Sequence, residues 1–174
     1  MTFLYRRLLG QDYERLPASL QDFHHIDRER HFQARFKITR GPGLLRALLC
    51  RLGRLPASGE NVPMRLRVTP EEGRERWVRQ FGEQVLESVQ WEKDGLLHER
   101  LGPVRLAFKL HVEPPALRLE LKKAWGLGIR LPLWLAPGGS GIEVGQDDGV
   151  AILVRATAPI LGQLVQYEGL VQGE

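Results

Sequence analysis

The stretch VRLAFKLHVEPPALRLELKKA, residues 104–124, alternates apolar and polar side chains on both sides of a Pro114-Pro115 turn. Val104, Leu106, Phe108 and Leu110 fall on one face of the first run, and Leu117, Leu119 and Leu121 on one face of the second. Successive strand residues point to opposite sides of a sheet, so this period of two predicts a hairpin with one apolar and one charged face. The apolar face has to cover either a packed core or a space that holds something.

The same period recurs along most of the chain. Phe32, Ala34, Phe36 and Ile38 alternate with Gln33, Arg35, Lys37 and Thr39, and Met64, Leu66 and Val68 alternate with Arg65, Arg67 and Thr69. Two further runs, 75–82 and 84–92, meet at Gly82, which marks a bulge or a sharp bend. Asp94-Gly95 and Asp148-Gly149 are hairpin signals. LLHERL, GLGIRLP, GIEVG, GVAILVRAT and LGQLVQYEGLV supply more short strands. A helical period is confined to two places. Residues 11–29 repeat Tyr13, Leu16, Leu20 and Phe23 at helical spacing, and Gly41-Pro42-Gly43 opens GLLRALLCRLGRL, which Gly53 and Pro56 end.

Roughly nine or ten strands joined by short turns favour antiparallel neighbours, because parallel pairs need long crossovers. So many half-apolar strands must curl onto themselves. The expected fold is therefore mainly β: one domain over residues 1–174, an antiparallel meander closing into a lipocalin-like β-barrel or half-barrel, with an N-terminal helix and one short inserted helix. The rival is a helix-grip fold with a long C-terminal helix, but the ending QYEGLVQGE reads as a strand.

At 174 residues the chain can bury a sizeable core without staples, and its single cysteine allows no internal disulfide. No segment has the ~18 apolar residues of a membrane-spanning helix or the pattern of a signal peptide, so a soluble, cytoplasmic protein is expected. The formal charge is +4, and 20 of the 25 basic residues are arginines. They are scattered along solvated strand faces instead of forming a stripe with interleaved aromatics, so nucleic acid is not an expected partner.

Few residues suggest chemistry. HHIDRERH, residues 24–31, concentrates metal-ligand types, but zinc needs three or four convergent ligands, and a polar helix-to-strand junction explains the run without a metal. His24, beside apolar Phe23, is placed capping a backbone group or bordering a pocket. His98, Glu99 and Arg100 form the densest polar cluster in a strand. His98 and Glu99 point to opposite faces, and a buried Glu99 would need Arg79 or Arg100 as an ionic partner. Cys50 falls among Arg46, Arg51 and Arg54 on an ideal helix, with no paired histidine. No catalytic residue, metal site or cofactor is assigned, and an enzyme is not expected. Trp77, Phe81, Trp91, Phe108, Trp125, Trp134 and Tyr167 are the large groups available to line the interior, and they serve a filled core as well as a ligand cavity.

The segments RERWVRQFG, LLHERLGPVRLAFKL, GLGIRLPLWLAP and LVQYEGLV resemble a bacterial family of domains of unknown function, DUF4166, over about residues 20–172. Members of that family stand alone or follow NAD(P)-binding oxidoreductase domains. The resemblance implies no activity and no site residues. It does raise an accessory role in which the domain docks to an oxidoreductase. Gly126-Leu127-Gly128 and Gly138-Gly139-Ser140-Gly141 lack the dinucleotide-binding spacing.

The leading functional expectation is non-catalytic binding of an apolar or amphipathic, lipid-like small molecule. In the inserted segment 43–56, Leu44, Leu45, Leu48, Leu49, Leu52 and Leu55 form one stripe opposite Arg46, Arg51 and Arg54. Two readings follow. The leucines pack on the sheet and the arginines meet water, or the segment is a lid whose arginines touch an anionic membrane.

Overall fold

A computed structural model describes residues 3–52, 55–134, 136 and 138–174, and leaves the side chains of Leu49 and Leu52 outside the description. Its strands are β1 (Arg30–Arg40), β2 (Gly59–Glu71), β3 (Arg74–Phe81), β4 (Gln84–Lys93), β5 (Leu96–Leu101) and β6 (Val104–Glu113). They continue as β7 (Ala116–Gly126), β8 (Ile129–Leu131), β9 (Gly138–Gln146), β10 (Gly149–Ala158) and β11 (Gly162–Gly173). All pairings are antiparallel. From β1 to β7 each strand pairs with its successor, β7 pairs with β9, and β11 pairs back onto β1. Ten of the eleven strands thus close a barrel, and β8 hangs from the end of β7. Closure pairs most strand edges, which an open sheet of this length would leave exposed, and the outer edge of β8 stays unpaired.

The hairpin β6–β7 carries its apolar face inward as the alternation predicts. Phe108 opposes Leu121, Leu110 opposes Leu119 and Val112 opposes Leu117. Leu117 is fully buried, with Phe108 and Leu110 nearly so. The outward positions of the barrel carry charge, as at Arg35, Lys37, Arg65 and Arg67, all exposed.

The N-terminal region is not one helix over 11–29. It forms α1 (Leu4–Leu9), a 3-10 turn at Gly10–Arg15 and α2 (Ala18–Phe23). Pro17, extended at ψ 151°, separates the last two and stands at the start of α2. Helices this short are unstable alone and are held by what they bury. Leu4, Tyr5, Tyr13, Leu16, Leu20 and Phe23 all sink into the core, and α2 packs on β9 and β10. A Cβ on Gly145 would lie 2.6 Å from Pro17 and 2.8 Å from Ser19, so the plug fits only because β9 has glycine there. This closes the end of the barrel where the β2–β3, β4–β5, β6–β7 and β9–β10 turns lie.

At the other end, β1 leads into α3 (Leu44–Leu52). The helix is rolled over relative to both sequence-based readings. Leu44, Leu45 and Leu48 are exposed, at 92%, 55% and 52%. Cys50 is fully buried, and its thiol donates to the Leu164 carbonyl of β11 at 3.7 Å. The Arg46 guanidinium donates to the Leu161 carbonyl and to that of Pro42. Polar bonds to the β10–β11 turn and to β11 therefore hold Arg46 and Cys50 against the barrel and leave Leu44, Leu45 and Leu48 outside. Arg51 is exposed, while Arg54, Gly53 and the side chains of Leu49 and Leu52 lie outside the described residues.

Candidate functional site

The barrel interior is built from two levels. At the plugged end, the His24 ring stacks on Tyr5 with centroids 3.6 Å apart, and its Nε2 lies 2.6 Å from Glu143 Oε2 of β9. The Tyr5 hydroxyl donates to Gln90 Oε1 of β4 at 3.3 Å. Glu75 of β3 is 2% exposed and accepts from the Trp77 indole at 3.1 Å, while its other oxygen has no partner. Burial pushes the Glu75 carboxyl up from the ordinary 4.5 to about 7, against the opposing pull of His24, the Trp77 and Leu4 N–H groups and Arg7.

At mid-barrel, three consecutive strands contribute one polar group each. Arg79 of β3 donates to Ser88 of β4 at 2.8 Å and to Glu99 of β5 at 3.3 Å, and the Ser88 hydroxyl donates to the same Glu99 oxygen at 2.7 Å. Arg79 also lies over the Trp77 ring, 5.1 Å from its centroid. Of the two arginines expected to pair with Glu99, Arg79 does so; Arg100 is on the outer face, exposed. The pair is not sealed, since the Arg79 and Glu99 side chains retain 16% and 13% exposure.

Above this triad, one side of the barrel wall is apolar and partly open. Leu106, Leu119, Leu121 and Ala156 point inward from β6, β7 and β10 yet are only half-buried, as is Tyr167 of β11, while Ile152, also half-buried, lies at the plugged level opposite Glu143. The β7–β9 ladder ends at Glu120–Ser140, so the wall beside these residues is not continuous up to the rim. The strand between β7 and β10 is β9, whose inward positions 139 and 141 are glycines opposite Ala156 and Val154. A wall without side chains there leaves room that larger residues would fill. Phe36, Phe81 and Tyr167 pack edge to face across the lumen from it, at centroid separations of 5.5–5.8 Å.

Four of the seven aromatic residues expected on the inner wall are there: Trp77, Phe81, Phe108 and Tyr167. The other three need correction. Trp91 stands on the outer face of β4 because Ser88 and Gln90 take the inward positions, drawn in by Glu99 and Tyr5. Trp125 is outside because a bulge places two lysines, Lys122 and Lys123, opposite the Ala107–Phe108 step and shifts the parity of β7 by one. On the outer surface Trp91 and Trp125 sandwich His98, at 5.4 and 5.7 Å, with Arg105 over Trp125 at 3.8 Å. Burial, then Arg105 and Lys123, hold the His98 imidazole below its usual pKa. Trp134 is 78% exposed beyond β8.

The HHIDRERH residues diverge. His24 turns into the core, while His25 and His31 face solvent in pairs with Asp27 and Glu29. Among the described residues no cluster of three His, Cys, Asp or Glu side chains could hold a metal ion. No helix among them is long and apolar enough to cross a membrane. Tyr5, Glu75, Ser88, Gln90 and Glu143 were not anticipated as interior residues. For Glu75 the signal was present: it shares strand parity with Trp77 and Phe81.

The model of one protein family, a domain of unknown function (DUF4166), matches residues 16–171. The chain belongs to the DUF4166 family. No curated protein and no solved structure matches it. For this DUF4166 domain the interior geometry is therefore the guide to function. It offers an apolar wall with a charge-neutral donor and acceptor pair at its base. There the Ser88 hydroxyl is held by the Glu99 carboxylate and accepts from Arg79.

Proposed function

We propose that the barrel is a binding domain for a lipid-like small molecule, apolar along most of its length and ending in one polar group such as a hydroxyl or carbonyl. The supporting observation is the set of inward but half-buried residues Leu106, Leu119, Leu121 and Ala156, in the same interior as Arg79, Ser88 and Glu99. Pockets for such ligands combine mostly apolar walls with a few placed polar groups. Arg79 supplies donors and Glu99 an acceptor, and because they neutralise each other, a neutral polar end meets both without bringing an unpaired charge inside.

The test is native mass spectrometry of the purified protein with extraction of any bound molecule, together with titration of an apolar fluorescent probe. Probe binding should raise the melting temperature by mass action. Ala156→Phe, which places a ring in the lumen beside the glycine wall, should abolish both effects and keep the fold. A protein that takes up no apolar probe, or takes it up equally in the Ala156→Phe variant, would refute the reading.

A further inference from the structure

The two ends of the barrel differ in character. Strand direction alternates, so each chain reversal belongs to one end. At the plugged end the turns carry exposed acids, among them Glu72, Asp94, Asp147 and Asp148. The open end is where the large exposed apolar side chains stand. Leu44, Leu45 and Leu48 come from α3, and Ile160 tips the β10–β11 turn, wholly exposed. The connection around β8 adds Leu127 at 84%, Ile129 at 70%, Leu133 at 52% and Trp134 at 78%. Val85, just past the β3–β4 turn, is also exposed. Every large apolar side chain found exposed among the described residues is at this one end.

Scattered apolar residues on a surface need no explanation, but a set confined to one end of a molecule does. Charge says what covers it. A shallow depression beside the rim is lined by Lys122, Lys123, Arg130, Leu131, Pro132 and Leu133. Arg51 is exposed on α3. Lys122 is paired with Glu120, and the acids toward this end are Glu83 and Glu60, of which Glu60 is paired with Lys37. Among the described residues the apolar tips sit on separate segments around a mouth. An exposed tryptophan flanked by leucines and backed by lysine and arginine matches the boundary between lipid headgroups and acyl chains.

We infer that this end docks on an anionic lipid bilayer, with Trp134, Leu133, Leu127 and the α3 leucines entering the headgroup boundary and Lys123 and Arg130 facing anionic headgroups. The mouth of the barrel then faces the membrane. This differs from an attachment through the α3 arginines, since Arg46 is held by the barrel and the leucines are outermost. The inference does not require a bound ligand.

The full chain is sedimented with vesicles of phosphatidylcholine alone and with added phosphatidylglycerol, at low and high salt. Binding should require the anionic lipid and fall with salt. Lys123→Gln with Arg130→Gln should weaken it by about fivefold for each charge, and Leu133→Ser with Trp134→Ser by about tenfold or more. Asp147→Asn with Asp148→Asn, at the plugged end, should change nothing. All positions are at the surface, and unchanged denaturation midpoints confirm that the variants fold. Absence of binding at low salt, equal binding to neutral vesicles, or insensitivity to the rim variants overturns the inference. So does a lipid-free dimer that Trp134→Ser dissociates, which would assign the rim to a second copy of the chain. The Ala156→Phe variant separates this inference from the ligand reading, because its docking should persist when probe binding is lost.

Discussion

Glu75→Gln is expected to stabilise the protein, and only above the acid range. Glu75 is 2% exposed on the inner face of β3, and burial raises its carboxyl from the ordinary 4.5 to about 7. A folded-state pKa above the unfolded one means that the folded protein holds a proton the unfolded chain has already released. Stability from this group is therefore complete below about pH 4.5 and falls as pH rises to about 7. The span of roughly 2.5 units, at about 1.4 kcal/mol each, amounts to about 3 kcal/mol lost by pH 8. Glutamine keeps an oxygen to accept from the Trp77 indole and never ionises. The variant should thus exceed the parent by only about 1 kcal/mol at pH 5 and by about 3 kcal/mol at pH 8. Urea unfolding of both proteins at the two pH values measures this, and titrating groups not coupled to Glu75 cancel in the difference. A gap that is the same at pH 5 and pH 8, or a variant less stable at pH 8, would refute the reasoning.

Further outcomes follow from the same geometry. Phe108→Ala should cost about 3 to 5 kcal/mol in unfolding free energy, because the ring is 6% exposed in the interior. Arg79→Met should cost about 3 kcal/mol by leaving Glu99 without its cation, and Arg79→Met with Glu99→Leu should recover most of that loss; a double variant as unstable as the single would show that the pair does not interact. Gly41→Ala should free α3, since a Cβ there would collide with the Gln163 carbonyl. The readout is the reaction rate of Cys50 with a thiol reagent, slow while the thiol is buried and faster once the helix lifts.

How far the fold was legible depends on which interaction set each face. In β6 and β7 side-chain alternation and burial agree, so the inner face of the hairpin could be read directly. Asp94-Gly95 turns as its residue types demand, with both φ angles positive, at 54° and 68°. The failures share a cause: a partner distant in sequence. β4 looks apolar along Val85, Val89 and Trp91, but Tyr5 and Glu99 offer Gln90 and Ser88 hydrogen bonds inside, and that reverses the strand. In the strand GIEVG, Glu143 points in to pair with His24, and Ile142 and Val144 fall on the other face. The bulge at Lys122–Lys123 moves Trp125 to the surface by one added residue, which no pattern of polarity announces. In α3 the leucine stripe was plain, but its direction was set by the Arg46 bonds to the β10–β11 turn. The Glu99–Arg79 pair, by contrast, followed from the rule that a carboxylate on an inner face needs a cation nearby.

The same contrast separates the residues that hold the barrel from those that give it something to bind. At the plugged end polar groups are enclosed by aromatic rings: His24 lies against Tyr5 and Phe23, and Glu75 is bonded to Trp77. Enclosure raises the cost of any change there, because an orphaned buried group loses solvation as well as its partner. At the open end the wall is made of glycine, alanine and half-buried leucine, which contribute little by burial and leave the lumen reachable. A core selected only for stability would place larger side chains at positions 139 and 156, since filling such space stabilises small proteins. Under the proposed binding function, small residues at these positions of β9 and β10, across the barrel from the Arg79–Glu99 pair, leave space for a ligand. Filling the lumen should therefore raise stability while abolishing ligand uptake, whereas substitutions in the plug should lower stability before they touch the site.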